Sequence, residues 1–501
     1  MIPIRGAGSC LDRALTHPAH LGHWASAMDL SRLPCLARWC TGVALAAPLA
    51  AQAPDAPRPP NLVLIVLDDF GVDLLGAFPR TRDLQTPCTP NLDELAREGL
   101  LFTRVWTNPL CSASRAQLLT GRHGFRTGIG TGVGKRPGSL RLDLEDPLPR
   151  MLIGYDSSAV GKWHLVSQVD QNWNHPLDAG FGYYAGSLFN LREGMQLDRI
   201  CWPNGRLGYD NWTKTYDVRA NGVLDSRCSN TYATTDTTDE AIGRAKAMRP
   251  PWFLYVAYNA PHWPLHDPPA ALCPGRPECH EQTCRLGAMV EALDTEIGRL
   301  LAELRALEPD PIVFVIGDNG TDHSAREDRE EDEVNSGKGS LFEGGLHVPL
   351  IAAGPGLARG TCSALVSSTD VYATLAELAG AWAPAEDSIS LVPYLRGRTT
   401  PLRRTVYAEN FRPNQPCDRA GAAFAPDKHG RALRDERFKL VSIRHPGGAV
   451  EESFYDLWLD PDETTNLVAP GATGDEALGL TGEPRTRYLA LRAELRTMGP
   501  E

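Results

Sequence analysis

The sequence predicts an α/β fold: a mostly parallel, mixed central sheet sandwiched by helices, with a smaller C-terminal α+β subdomain built on an antiparallel sheet. Continuous apolar runs with β-branched residues recur at residues 61–67, 252–258 and 312–316, and such runs are typical of strands buried on both faces. Helical patterns separate these runs, as crossover connections between parallel strands require. Beyond residue 399 the apolar runs become short and closely spaced, which favours an antiparallel sheet there.

The first half of the chain alternates strand and helix. Residues 61–67 read NLVLIVL and form the first predicted strand. Thr89-Pro90 then marks a helix start, because Pro suits the first turn of a helix and acidic residues follow at once. A second helical stretch covers residues 116–120, and residues 158–160 have the character of a short buried strand.

The second half repeats the alternation around one long helix, predicted over residues 285–307. That helix keeps an apolar stripe at spacings of three and four residues, which marks a face buried in the core. The other predicted elements are strands at residues 252–258, 312–316 and 348–352, a helix at 370–379, and C-terminal strands at 438–443 and 454–457.

Length and composition define the broad class. The chain has 501 residues, of which 42% are hydrophobic and 22% charged, as in ordinary globular proteins and unlike disordered or fibrous ones. Its 62 acidic and 50 basic residues give a net charge of −12, which argues against a general nucleic-acid binder and against docking on an anionic membrane. A local cluster of cations could still hold a small anion.

The N-terminal segment carries the pattern of an export signal. After Met28, Arg32 and Arg38 form a positive region, residues 40–50 form a short apolar run, and residues 51–53 (AQA) form a small-residue cleavage site. The alternative is a disordered leader rich in Ala and Pro. We expect Met28 to be the true start and the mature protein to be periplasmic or secreted, in a bacterium. The predicted organisation is a leader at residues 1–53, a linker at 54–60, a catalytic domain at 61–398 and a C-terminal subdomain at 399–501, with no stable membrane insertion.

Cysteine usage fits an oxidising compartment. Nine of the twelve cysteines follow Ala53, so one would be left over if the others form disulfides. Cys273, Cys279 and Cys284 are close enough to suggest zinc, but they contain no CxxC pair, and the prolines among them favour a bridged surface loop. Cys111 is the candidate for the odd cysteine because of the segment in which it lies.

Two polar pairs stand directly after predicted strands. Asp68 and Asp69 follow the first strand, and Asp318 and Asn319 follow the strand at residues 312–316. The carboxyl ends of parallel strands gather at one edge of a sheet, and hard oxygen ligands suit Ca²⁺ or Mg²⁺. Each pair alone could equally be a solvated turn, but two such strand ends in one sheet favour a metal site.

The segment Cys111-Ser112-Ala113-Ser114-Arg115 precedes the helical stretch of residues 116–120. The unpaired N–H groups and the positive dipole end of a helix favour an anion at that position. Arg115 adds a fork of donors one turn later. By itself, Cys111 could be an activated thiolate or simply a buried thiol.

Four further polar residues are candidates for the same site. Lys162 and His164 lie two residues apart after a predicted strand, and an extended backbone would put both side chains on one face. His262 follows the strand at residues 252–258, and Lys338 has glycine on both sides, which permits close approach to a ligand. Any one of them alone would more often be an ordinary surface or core residue.

The order of these segments resembles that of the sulfatases that use a formylglycine nucleophile, within the alkaline-phosphatase-like superfamily. The resemblance runs from about residue 61 to 355 and returns weakly in residues 454–467. It implies a hydrolase that acts on the sulfate ester of a small molecule or glycan, either a carbohydrate or an aryl sulfate. It also implies that a maturase acting on the 111–115 motif converts Cys111 to formylglycine, which would leave eight cysteines that could pair. The family's Ca²⁺ (sometimes Mg²⁺) would be bound by Asp68, Asp69, the modified Cys111, Asp318 and Asn319.

The resemblance also implies roles for the remaining residues. A hydrated aldehyde at position 111 would attack sulfur, form a covalent sulfo-enzyme intermediate and expel sulfate as the aldehyde re-forms. Lys162, Lys338 and Arg115 would offset negative charge on the sulfuryl group and the hydrate. His262, together with Lys338, would protonate or stabilise the departing alcohol oxygen. His164 would be a hydrogen-bonding partner of the hydrate.

Two positions depart from the family pattern. Ala113 stands where the maturation motif usually has Pro, which resembles the sites converted by oxygen-independent maturases of some bacteria. His347 lies in the region where an arginine often follows the paired glycines. The alternatives to a sulfatase are a phosphodiester or phosphonate monoester hydrolase on the same scaffold, or a non-catalytic anion-binding protein with an unmodified cysteine.

Four tryptophans are candidates for lining a sugar or aryl pocket: Trp163, Trp202, Trp212 and Trp263. Their flat faces would suit such a ligand, but aromatic side chains are as common in core packing. The sequence leaves both interpretations open.

Overall fold

A computed structural model describes residues 58–79, 86–135, 137–191, 208–216, 224–274, 279–307, 309–322, 337–382, 386–415, 424–468 and 479–499. The predicted leader at residues 1–53 lies outside these ranges, and the domain boundaries stay predictions. Among the residues described, no helix is both long enough and apolar enough to cross a membrane.

One large mixed sheet forms the centre of the fold. Its strands are β1 (Leu62–Leu67), β2 (Leu100–Trp106), β3 (Asp156–Gly161), β4 (Tyr183–Gly186), β5 (Trp212–Tyr216), β6 (Asp225–Ser229), β7 (Trp252–Ala257), β8 (Ile312–Gly317), β9 (His347–Ala353), β10 (Gly360–Cys362) and β11 (Val366–Ser367). They lie in the order β10-β2-β9-β8-β1-β7-β3-β4-β5-β6, with β11 also paired to β2. The five neighbouring strands β8, β1, β7, β3 and β4 are parallel. Strand β9 runs antiparallel to both of its neighbours, and the β4–β5–β6 edge is antiparallel as well.

Helices cover both faces of this sheet. They are α1 (Pro90–Glu98), α2 (Cys111–Thr120), α3 (Gly124–Thr127), α4 (Leu148–Met151), α5 (His175–Asp178), α6 (Ala233–Ala247), α7 (Gln282–Arg305), α8 (Glu343–Leu346), α9 (Asp370–Leu378) and α10 (Val392–Leu395). Strand β1 alternates between two cores: Leu62, Leu64 and Val66 pack with α2 and α9, while the residues between them pack with α1, α6 and α7. All six residues of β1 are buried, as the uninterrupted apolar run predicts.

A separate four-stranded antiparallel sheet follows, with β12 (Val406–Arg412), β13 (Lys428–Arg434), β14 (Phe438–Arg444) and β15 (Val450–Asp456) in sequence order. One face packs against α11 (Gly482–Leu495), with Leu440, Phe454 and Leu491 in its core. The other face meets the central sheet, where Val441 lies in the same cluster as Trp106. The predicted α/β sandwich with a smaller antiparallel sheet is therefore confirmed.

Candidate active site

The polar segments singled out in the sequence lie at one edge of the sheet. Asp68 and Asp69 follow β1, Lys162 follows β3, and Asp318 follows β8, while His262 lies five residues beyond the end of β7. These four strands are consecutive parallel neighbours in the order β8-β1-β7-β3. Their carboxyl ends therefore meet at the same edge, where ligands of open α/β sheets bind.

Three carboxylates, one thiol and one amide form the buried centre of the site. Oxygen atoms of Asp68 and Asp318 and the Sγ of Cys111 lie within 4.8 Å of one another. Asp69 adopts a positive φ of 62°, and its N–H donates to Asp318 Oδ1 at 3.1 Å. Asn319 Nδ2 donates to Asp69 Oδ1 at 2.8 Å. The turn after β1 thus presents both aspartates to the end of β8.

Three cations surround this acidic centre. Arg115 is fully buried; its Nε donates to Asp318 Oδ2 at 2.9 Å, and its Nη1 donates to the Lys162 carbonyl at 3.0 Å. Lys162 donates to Asp68 Oδ2. Lys338 donates to Asp69 Oδ2 at 2.9 Å. Each aspartate therefore has its own basic partner, as buried charges require.

The charges of the centre act strongly on one another. Burial alone would raise the pKa of Asp68, but Lys162, His262, Arg115 and Lys338 outweigh it and hold that pKa well below its usual range. Burial and the negative charge of Asp68 raise the pKa of Asp318 well above its usual range, against the attraction of Arg115. Two carboxylates so close together cannot both ionise freely without more positive charge.

The donor set fits a divalent cation. Asp68 Oδ1 and Asn319 Oδ1 are buried, and neither has a hydrogen-bond partner among the described residues. Unpartnered buried oxygens are costly, and a cation would satisfy both. Carboxylate and amide oxygens are the ligands that Ca²⁺ and Mg²⁺ prefer, and the charge of a divalent ion would also relieve the repulsion between Asp68 and Asp318.

Cys111 is the first residue of α2, so the helix begins five residues earlier than the sequence predicts. All ten residues of α2 are buried, which places the N-terminal end of the helix inside the protein. The Sγ of Cys111 lies 3.2 Å from His164 Nδ1. A side chain at this helix start faces unpaired N–H groups and the positive end of the dipole.

The path by which Lys162 and His164 reach the site differs from the prediction. The prediction of an extended backbone there is wrong, because β3 ends at Gly161 and His164 adopts a positive φ of 57°. The His164 N–H donates to the Leu188 carbonyl at 3.0 Å, which fixes this bend. Both side chains still arrive at the site, Lys162 at Asp68 and His164 at Cys111.

His262 faces the centre from the turn after β7. Its Nε2 lies 3.9 Å from Asp69 Oδ2, and its Nδ1 lies 2.7 Å from the Trp263 carbonyl. Because a carbonyl only accepts, Nδ1 carries the proton and donates it. Burial and the positive charges of Lys338 and Lys162 lower the pKa of His262 to about 4. The ring is therefore neutral at pH 7, with the lone pair of Nε2 directed at the site.

The structure also brings in residues that the sequence reasoning missed. Ser187 follows β4 and donates through its hydroxyl to Asn259 Oδ1 at 3.1 Å, while its carbonyl accepts the Trp163 N–H at 2.9 Å. Tyr209 bonds to the turn that carries His262. The position of Ser187 could have been found only by recognising β4 as a parallel neighbour of β3, and Tyr209 left no signal in the sequence.

Other sequence-based expectations have mixed outcomes. Cys279 and Cys284 form the expected loop disulfide, but Cys88 and Cys362 keep free thiols, so the eight cysteines other than Cys111 are not all paired. His347 lies on β9 and bonds to the Thr103 carbonyl of β2 at 2.9 Å, which makes it a strand contact.

The tryptophans fall into two groups. Trp163 and Trp212 are buried and pack in the core, so they do not line an open pocket. Trp263, beside His262, is 43% exposed. Trp202 lies outside the described residues.

A buried cysteine at a helix start, a cluster of carboxylate and amide oxygens and three cations lie together at the carboxyl edge of a parallel sheet, and such a set is expected of hydrolases of anionic esters. The sulfatase family model matches residues 60–381 of the chain. N-acetylgalactosamine-6-sulfatase of Sus scrofa is 34% identical over 370 residues, covering 69% of this chain and 68% of the relative. Arylsulfatase A of Homo sapiens is 32% identical over 462 residues, covering 86% and 87%. The chain belongs to the sulfatase family and is a sulfuric ester hydrolase.

Solved structures show the same fold. The crystal structure of Ps i-CgsB in complex with k-i-k-neocarrahexaose superposes with a TM-score of 0.64 at 22% identity, covering 88% of this chain and 92% of that one. The structure of BT4656 in complex with its substrate D-glucosamine-2-N,6-O-disulfate gives a TM-score of 0.62 at 19% identity, covering 88% and 97%. At these identities, the likeness establishes the architecture alone.

Proposed function

We propose that this protein hydrolyses a sulfate ester of a carbohydrate or aryl alcohol, with formylglycine formed from Cys111 as its nucleophile. One observation carries the proposal: the side chain of Cys111 lies within 4.8 Å of the Asp68 and Asp318 carboxylates and 3.2 Å from His164. A group there can meet both a bound cation and a histidine. The alternative of an unmodified, non-catalytic anion site leaves this convergence of groups without a purpose.

Asp68, Asp69, Asp318 and Asn319 would hold Ca²⁺ or Mg²⁺, and residue 111 would complete the set. When present, the cation would supply positive charge that offsets the charge of a sulfate ester, and the hydrate of formylglycine would supply the hydroxyl oxygen that attacks sulfur. The two unpartnered buried oxygens, on Asp68 and Asn319, support this assignment.

Lys162, Lys338 and Arg115 would stabilise the charge that develops on the sulfuryl oxygens. Lys162 is fully buried, and the side chain of Lys338 is only 16% exposed. Positive charge fixed in such surroundings stabilises a transition state more strongly than it could in water. Arg115 acts from further inside, because its donors are already bonded to Asp318 and to the Lys162 carbonyl. It would therefore orient the other groups and offset their charge.

His262 and Lys338 would serve the leaving group. Both reach Asp69 and both have side chains partly open to solvent, so the alcohol part of a substrate would depart past them. The free site disfavours the imidazolium form of His262, but a bound sulfate ester brings negative charge that favours it. His262 would then hold protons on both nitrogens and give the one on Nε2 to the departing oxygen. Lys338 would stabilise the same oxygen.

His164 would hydrogen-bond residue 111 and assist the release of sulfate. Its Nδ1 faces the Cys111 side chain, and the bend at its positive φ is fixed by the Leu188 carbonyl. A histidine so held can accept a proton from a hydroxyl on residue 111 after the alcohol has left. As that proton leaves, the C=O bond of the aldehyde would re-form, the bond from the same carbon to the sulfate oxygen would break, and sulfate would depart.

A carbohydrate sulfate is the substrate class that the relatives support best. Among them, N-acetylgalactosamine-6-sulfatase is named for a sulfated sugar, and the name of arylsulfatase A leaves an aryl sulfate as the other choice. We further propose bacterial export, from the signal-like residues 28–53, and a maturase partner that accepts Ala113 in the motif.

Parallel kinetics would test the proposal. Protein produced with an oxygen-independent maturase is assayed with 4-nitrophenyl sulfate, N-acetylgalactosamine 6-sulfate and 4-nitrophenyl phosphate esters, beside a Cys111→Ala control. We expect kcat/KM to be highest for a sulfate ester and Cys111→Ala to abolish turnover while leaving Tm unchanged. Higher efficiency on the phosphorus esters would instead support the phosphodiester or phosphonate hydrolase, and full activity in Cys111→Ala would refute the nucleophile.

A further inference from the structure

Tyr209 bonds to both ends of the turn that carries His262. The side chain is buried, and its hydroxyl lies 2.6 Å from the Asn259 carbonyl and 2.9 Å from the His262 carbonyl. The same Asn259 carbonyl accepts the His262 N–H at 3.0 Å, which closes the turn. One hydroxyl proton, shared between two carbonyls, thus joins the start of the turn to the catalytic histidine.

The Tyr209 ring is itself fixed. It packs at 4.3 Å from the ring of His266 and at 5.7 Å from that of Tyr232. The Tyr209 carbonyl accepts the N–H of Ala233, the first residue of α6, at 2.9 Å. The first residue of α6 and two aromatic neighbours therefore hold the backbone and ring of Tyr209 in place, so its hydroxyl can restrain the turn.

The opposite side of the turn contacts the acidic centre. The Asp68 N–H donates to the Ala260 carbonyl at 3.3 Å, and Ser187 bonds to the Asn259 side chain. His262 thus stands between the end of β1 on one side and Tyr209 on the other. Without the hydroxyl, the carbonyls of Asn259 and His262 would lose the side-chain donor that joins them to Tyr209.

We propose that Tyr209 is a positioning residue, which holds His262 where its Nε2 can give a proton to the departing alcohol oxygen. The inference rests on the proposed function and deepens it. In the step concerned, sulfur becomes bonded to the hydroxyl oxygen of residue 111 and the S–O bond to the alcohol breaks. The electron pair of the broken bond stays on the alcohol oxygen, which takes the proton from Nε2. Misplacing a general acid weakens this transfer and leaves the charge stabilisation by the lysines intact.

The test uses two sulfate esters that differ in their need for a proton. A nitrophenolate leaves without one because its charge is delocalised, whereas the sugar alkoxide from N-acetylgalactosamine 6-sulfate needs one. For Tyr209→Phe we expect kcat/KM to fall about tenfold on the sugar sulfate and about twofold or less on 4-nitrophenyl sulfate. Tyr372→Phe is the matched control, since the Tyr372 hydroxyl also donates to the backbone carbonyl of a residue distant in sequence, Asp146. This control variant should leave kcat/KM unchanged on both substrates.

The double variant separates this inference from the function on which it rests. His262→Gln should show the same selective loss of kcat/KM on the sugar sulfate. Adding Tyr209→Phe to His262→Gln should lower kcat/KM little further, because both residues act through one proton transfer. Equal losses on both esters in His262→Gln would refute the proposed role of His262. The role of Tyr209 alone would be overturned if His262→Gln lost kcat/KM mainly on the sugar sulfate while Tyr209→Phe lost it equally on both esters or not at all.

Hydrogen exchange gives a readout that does not depend on turnover. The His262 amide is bonded within the turn, so its exchange should be faster in Tyr209→Phe than in the wild type or in Tyr372→Phe. Faster exchange confined to the segment 259–266 supports the inference. Unchanged exchange there would show that the hydroxyl does not hold the turn and would overturn it.

Discussion

Removal of the charge on Arg115 should destabilise the protein strongly. The side chain is fully buried, and its Nε donates to Asp318 Oδ2 at 2.9 Å. Its Nη2 lies 2.8 Å from the same Oδ2 atom and 3.6 Å from Asp68 Oδ1. Arg115→Met keeps most of the length and volume but leaves two buried carboxylates short of positive charge. Breaking a buried ion pair in this way costs about 3–5 kcal/mol. For a chain of this size that corresponds to a fall in Tm of about 3–5 °C.

The measurement is urea unfolding of both forms in the presence of a chelator, followed by the same measurement with Ca²⁺. Arg141→Met is the matched control, because its pair with Asp143 is exposed at 45% and 60% and should contribute about 0–1 kcal/mol. We expect the loss in Arg115→Met to shrink when Ca²⁺ is added, since a divalent ion supplies the missing positive charge. Equal losses in the two variants would refute the reasoning that Arg115 balances buried aspartates.

Four further predictions follow from the same contacts. Asn410→Ala removes the side chain that donates to the carbonyl of Gly339, the residue after Lys338, at 3.1 Å. We expect kcat/KM to fall severalfold and the free energy of unfolding to fall by about 1 kcal/mol; unchanged kinetics would contradict this. Ca²⁺ at 100 times its Kd should raise the free energy of unfolding by about 2.7 kcal/mol, and Asp69→Asn should lose most of that gain in the same melts. Burial lowers the pKa of His175 to about 4, while its Nδ1 accepts the indole N–H of Trp163. At position 175 the unfolded chain therefore binds more protons between pH 6.5 and 4, and the contribution of His175 to stability should fall by about 2 kcal/mol from pH 7 to 5; a His175→Asn variant with the same pH dependence as the wild type would contradict this. Finally, Ala113→Pro should increase conversion of Cys111 by an oxygen-dependent maturase, read as the aldehyde fraction by mass spectrometry.

The core of the fold was predictable because its strands leave a strong signal. Strands β1, β7 and β8 are buried on both faces, so their sequences are continuous apolar runs. The polar residues after them were predictable for the same reason, since parallel neighbours bring their carboxyl ends together. The apolar stripe of α7 likewise predicts which face of the helix is buried.

The edge of the sheet was not predictable. Strand β6 is mostly exposed, and β4 and β5 are short, so their sequences lack the apolar runs that mark a buried strand. The bend at His164 was missed because a positive φ in a non-glycine residue is fixed by distant contacts, here the Leu188 carbonyl. Tyr209 was missed on the same ground, because its bond to Asn259 joins residues 50 positions apart.

The mass of the tryptic peptide of residues 105–115 tests the central claim most directly. The protein should be produced in a host that carries an oxygen-independent maturase and converts a control site with Ala in the motif. We predict the mass of the aldehyde at position 111 in place of the thiol, which would establish the nucleophile. An unmodified cysteine in that host would contradict the proposed mechanism and would leave the cluster around Asp68 and Asp318 without its reacting group.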